Sequence, residues 1–133
     1  MIRISTENGL RHSITIGEHL LYSDVAAELG GNASAPEPHD LFDAALGACK
    51  ALTLMVYARQ KGIPLSGLDL QLKRDDSAER QGNYQLAVEL QLHGELDAAQ
   101  RQQLLRIADK CPIHKLMSSS EVRINTYLQE SEL

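Results

Sequence analysis

The chain has 133 residues, thirteen Lys and Arg against eighteen Asp and Glu, and a formal net charge of -5. That length suits a single domain over 1–133, with room for one core. The basic residues are scattered, Trp is absent and Phe occurs once, so the chain lacks both the electrostatic footprint and the stacking platform of a nucleic-acid binder, and DNA or RNA is not an expected partner. Met1 to Ser5 lacks the pattern of a signal peptide and no apolar run approaches the roughly 18 residues of a membrane span, so a cytoplasmic protein with no membrane partner is expected.

Residues 2–6 and 11–16 read as strands: Ile2 and Ile4, then Ile14 and Ile16, alternate with polar neighbours around a turn at Asn8-Gly9. A third short strand is expected over 19–23. Residues 30–38 carry two adjacent glycines and two prolines, which deny both regular patterns and mark a loop. From His39 to Gly62 runs the longest helical period, with Leu41, Ala45, Ala48, Leu52, Met55 and Val56 on one side and Phe42, Leu46 and Cys49 beside them. Asp40 suits the positive end of the helix dipole, and Gly62 with Pro64 supplies a stop. So few polar residues interrupt this helix, about 35 Å long at 1.5 Å per residue, that one small chain has difficulty covering it; burial on most sides in an obligate homodimer is expected.

Leu68, Leu70 and Leu72 alternate in a fourth strand, and the residues from Gly82 to His93 do so in a long fifth, with Arg74 to Gln81 as a charged tip. Asp97 caps a second helix that runs to Cys111, where Pro112 interrupts it. Val122, Ile124, Thr126 and Leu128 are spaced as a closing strand. The pattern is α+β.

Cys49 and Cys111 stand nearly half the chain apart, each beside a lysine, Lys50 and Lys110. Two cysteines in a reducing compartment serve as core thiols, metal ligands or redox groups. Cys49 can be a small hydrophobe of a helical interface; to react it needs a cation, and Arg3, Arg11, Arg59, Lys50 and Lys110 are available, arginine being the better partner for a half-buried thiolate. Lys50 is expected to snorkel to solvent. Thr53, one turn after Cys49, can offer its hydroxyl to the sulfur or bond back to its own helix. Cys111 with His114 three residues on lacks the further ligands of a zinc site and the orienting group of a Cys-His hydrolase, so His114 is expected as a capping or surface residue. Gly30-Gly31 lacks the rest of a phosphate loop and reads as a turn, and Asp75-Asp76 and Glu130 to Glu132 read as solvated charge.

The run Ala35-Pro36-Glu37-Pro38-His39-Asp40-Leu41-Phe42-Asp43-Ala44-Ala45-Leu46-Gly47-Ala48-Cys49, the Lys-Gly-Ile-Pro-Leu turn at 61–65 and Lys110-Cys111-Pro112-Ile113-His114-Lys115 resemble the OsmC/Ohr family of osmotically induced and organic hydroperoxide resistance proteins. The resemblance covers nearly the whole chain. It implies an OsmC-like α+β fold, an intertwined homodimer whose two long central helices lie between curved antiparallel sheets, with active sites at the dimer interface. It also implies a thiol peroxidase. Cys49 would reduce an organic hydroperoxide to an alcohol through a sulfenic acid, Cys111 would close a disulfide with it, and an external dithiol would reduce the pair without metal, flavin or haem. Arg11, with Arg3 behind it, matches the arginine that stabilises the thiolate. Asp40, nine residues before Cys49, matches the carboxylate that holds this arginine, with Glu37 as substitute. Two other functions fit the same residues: a non-peroxidatic relative that binds a small hydrophobic ligand or partner, and general thiol-disulfide exchange.

Overall fold

In the computed structural model, which describes residues 1–129, the chain opens with an antiparallel three-stranded meander, β1 (Ile2–Asn8), β2 (Arg11–Ile16) and β3 (His19–Ser23). Asn8 pairs with Arg11, so the first hairpin turns on Gly9 and Leu10, one residue later than Asn8-Gly9 suggests. Gly9 takes a φ of +59°, the left-handed value that a two-residue hairpin turn needs. Glu130 to Glu132 lie outside the described residues.

Asp24 organises the glycine- and proline-bearing loop. Its carboxylate accepts from the backbone N–H groups of Val25, Asn32 and Ser34, and from the Ser34 hydroxyl at 2.6 Å. The loop delivers the chain to α1 (Pro38–Lys61), where Pro38 fills the first turn, the Asp40 carboxylate accepts from the Glu37 N–H at 3.1 Å, and Gly62 ends the helix with a φ of +66°.

β4 (Leu65–Asp75) and β5 (Gln85–Gly94) form a second antiparallel hairpin in which Leu68, Leu70 and Leu72 pair with Leu92, Leu90 and Val88. These half-buried positions alternate with exposed ones, the period-two pattern of a sheet covered on one face. The cover is α1, and Gly47 permits the close approach: a methyl group there would stand 2.6 Å from Leu72 Cδ1. A short helical turn, Glu79–Gln81, lies in the charged tip. After β5, Asp97 and Gln100 form a reciprocal cap on α2 (Ala98–Ala108). Leu104 and Ala108 of this helix meet Leu54 and Ala58 of α1 and Leu65 in the core.

Three expectations need correction. Cys111 does not end the second helix; α2 stops at Ala108, and Cys111 is the N-cap of α3 (Pro112–Ser119), with Pro112 at its first position. Proline breaks a helix interior but suits this site, whose N–H would lack a partner anyway. Val122 to Leu128 form no strand, because among the described residues no other strand pairs with them to take their backbone hydrogen bonds. Within one chain, Asp43, Leu46, Gly47, Lys50, Leu54 and Ala58 of α1 face inward, while Phe42, Leu52 and Val56 are exposed. Finally, α1 is long and apolar enough by composition to cross a membrane, with a mean hydropathy of 1.4 over its best 18-residue window. Its two inward charges, Asp43 and Lys50, are satisfied by partners in the same chain.

Candidate functional site

The third and fourth turns of α1 present Cys49, and the turn between α2 and α3 presents Cys111. The two free thiols are neighbours, near enough that Cys49 is among the groups that raise the Cys111 thiol. They differ in access. Cys111 is fully enclosed, whereas Cys49 is half-buried with the Thr53 hydroxyl 3.9 Å from its sulfur. Burial pushes the Cys111 thiol above its ordinary range, since a thiolate loses water there, and the contact with Cys49 adds to this. The His114 backbone N–H and the Lys50 charge pull the other way.

Lys50 does not snorkel. It is 3% exposed, and its Nζ donates to the Ala108 carbonyl at 2.7 Å and to His114 Nδ1 at 2.8 Å, with Asp109 Oδ1 3.6 Å away. The carbonyl is one of those that the end of α2 leaves without a helical partner, so the ammonium sits at the negative end of that helix. His114 is therefore tied to α1 rather than only capping or facing water. A charged residue directly after the cysteine, in an otherwise apolar turn, was the signal in the sequence; the α2 terminus that receives it was not visible there.

Arg11 and Asp40 are not brought together. The Arg11 guanidinium bonds Glu7 at 3.0 Å and the carbonyl and hydroxyl of Ser34 at 3.1 and 3.0 Å, and lies 4.0 Å from the centre of the Tyr22 ring. The carboxylate that holds Arg11 is thus Glu7 of β1, neither Asp40 nor Glu37. Asp40 is bound by Arg74 of β4, whose Nε also meets Asp43 at 2.8 Å. Tyr84 donates to Asp43 at 2.6 Å; desolvation, then the neighbouring carboxylate, pushes its phenol up to about 12. His39, 2.8 Å from Glu79, has its imidazole pKa raised by that carboxylate. This group of charges pins the start of α1 to the tip of the β4–β5 hairpin. Arg3 is exposed on β1.

Between α1, β5 and α3 lies a largely apolar cavity of about 280 Å³, lined by Phe42, Leu46, Tyr84, Leu86, His114 and Met117. Phe42 and Tyr84 meet edge to face across 5.9 Å. Among the described residues, no group of three or more His, Cys, Asp or Glu side chains is placed to hold a metal ion.

The family model described as OsmC-like protein matches residues 30–126. A putative osmotic stress induced and detoxification response protein of Psychrobacter arcticus superposes with a TM-score of 0.75 at 19% identity, over 89% of this chain and 88% of its own. An organic hydroperoxide resistance protein OsmC of Legionella pneumophila gives 0.64 at 23% identity, covering 90% of each chain. The organic hydroperoxide resistance protein OhrB of Bacillus subtilis gives 0.59 at 23%, over 90% of this chain and 91% of its own. At such identities the likeness shows the fold. No curated protein matches the chain in sequence.

Proposed function

The chain belongs to the OsmC-like protein family, and on that premise we propose that it is a two-cysteine thiol peroxidase that reduces organic hydroperoxides to alcohols. The observation that carries this reading is the nearness of two thiols from distant segments, one half-buried and one enclosed. The Cys49 thiolate attacks the terminal oxygen of the hydroperoxide; the O–O bond breaks, the alkoxide leaves and takes a proton, and Cys49 becomes a sulfenic acid. Cys111 then attacks that sulfur, the S–O bond breaks, a disulfide forms and water leaves with the thiol proton. An external dithiol returns both cysteines to thiols by exchange. Enclosure suits Cys111 to the second step, where its target is an adjoining sulfur rather than a molecule from solution.

The apolar cavity beside α1 supports an alkyl or aryl hydroperoxide over hydrogen peroxide, since its wall gains little from a small polar molecule. Arg11, fixed by Glu7, Ser34 and Tyr22, is the guanidinium we assign to the Cys49 thiolate, in a site completed at the interface of a homodimer. We place the cycle in the cytoplasm, where dithiol reductants keep cysteines reduced. Hydroperoxide consumption and intact mass test the reading together. One equivalent of cumene hydroperoxide should remove two hydrogens per chain from the wild type. Cys49→Ser should consume none, and Cys111→Ser should turn over once and stop at an oxidised Cys49. Turnover by Cys49→Ser at the wild-type rate overturns the mechanism.

A further inference from the structure

A lysine 3% exposed on the inward face of an apolar helix is expensive to desolvate, and a hydrophobic side chain of similar volume commonly serves a fold as well or better. Lys50 is the immediate neighbour of Cys49 in α1, and both of its direct bonds go to the two segments that flank Cys111: the Ala108 carbonyl before it and the His114 ring after it. We propose that Lys50 is a positioning residue for disulfide formation, clamping the 109–111 turn and the start of α3 against α1 so that the Cys111 sulfur is held at the Cys49 sulfur.

The clamp acts on a group that needs help. Cys111 must give up its proton to attack, yet its enclosure disfavours the thiolate, and the Lys50 charge counters this, while Lys110 and Lys115 line the hollow on the outer side of Cys111. Asp109, which lines the same hollow as Cys111, stands 3.6 Å from the ammonium and 3.9 Å from His114. Cys49 works against a thiolate at Cys111. A clamp that also carries positive charge meets both needs of the step, orientation and ionisation.

This inference rests on the two-cysteine reading for its place in a catalytic cycle, but the disulfide step can be driven without a hydroperoxide. Diamide accepts one thiolate at its N=N bond; attack by the second thiol on the resulting sulfenylhydrazine releases the reduced hydrazine and leaves the disulfide. Lys50→Met keeps the side-chain volume and removes the charge. Expected, with either diamide or cumene hydroperoxide, is disulfide formation at least tenfold slower, with its pH midpoint moved upward and, in the hydroperoxide arm, a Cys49 sulfenic acid that dimedone traps. Disulfide formation at the wild-type rate and pH midpoint overturns the proposal.

Should Lys50→Met lose its fold by circular dichroism, a second pair of variants decides. His114→Leu, which removes the acceptor, should slow the step, and His114→Asn, whose amide oxygen can stand where Nδ1 stood, should recover most of that loss. Equal rates for His114→Leu and the wild type overturn the proposal. If the wild type closes its disulfide with diamide and ignores hydroperoxides, the peroxidase reading fails, and the role of Lys50 is judged on the diamide arm alone.

Discussion

Asp24 makes four hydrogen bonds, and one of its donors, Ser34, in turn accepts from Arg11; the carboxylate therefore holds the loop that holds the guanidinium. Those bonds, led by the Ser34 hydroxyl, lower the Asp24 pKa from 3.8 to about 2. A carboxylate whose folded value is depressed contributes stability above its unfolded value, and that contribution is lost as the pH falls from about 4 to about 2. Asp24→Asn should therefore lower the urea midpoint at neutral pH and leave it close to the wild type near pH 2; an equal difference at both pH values would count against this account. The same scale shows what single residues disclosed in the sequence. Cys49 and Cys111 stood out because thiols are scarce. The partner of Arg11 did not, because Glu7 lies four residues away across a hairpin turn, and only the register of β1 with β2 brings its carboxylate to the guanidinium.

Elements with a long, clean period were legible. The three N-terminal strands, α1 and the β4–β5 hairpin each lie within a few residues of where alternation or helical spacing puts them. α3 was not, since eight residues opening on proline carry too little periodicity to separate a new helix from the break in an old one. The contact between α1 and β4 was also hidden, although its cause is one residue. Gly47 lets the helix settle on Leu70 and Leu72, whose terminal methyls would stand 3.1 and 2.6 Å from an added β-carbon. Gly47→Val would push the helix off the sheet or force both leucines from their rotamers, a cost of about 2–3 kcal/mol. Urea unfolding should show that loss as a lower midpoint with an unchanged slope; a midpoint at or above the wild-type value would mean that this contact is loosely packed.

At the scale of the whole molecule, the folded chain exposes 10445 Å² of accessible surface. A compact monomer of 14.7 kDa is expected to expose about 6,900 Å², so some 3,500 Å² per chain is in excess. The excess is apolar where it is most conspicuous: Leu52 and Val56 on the outward face of α1 are 65% and 53% exposed, and Val122, Ile124 and Leu128 line a terminal segment without a strand partner. An obligate interface of several thousand Å² is the size that removes such an excess. A second copy brings another α1 with the same apolar face and further sheet edges for the terminal segment, whose alternation asks for a strand. This is why the alternation at 122–128 misled: the pattern specifies a pleat, and pairing needs a neighbour that the described residues do not supply. The proposed homodimer then makes stability depend on protein concentration. Sedimentation should give twice the chain mass at micromolar concentration, the thermal midpoint should rise with concentration, and Leu52→Glu with Val56→Glu should dissociate and destabilise the protein together. A wild type that sediments as one chain, with a midpoint constant over a hundredfold dilution, would leave the exposed face of α1 to a different partner and remove the interface at which Arg11 is proposed to meet Cys49.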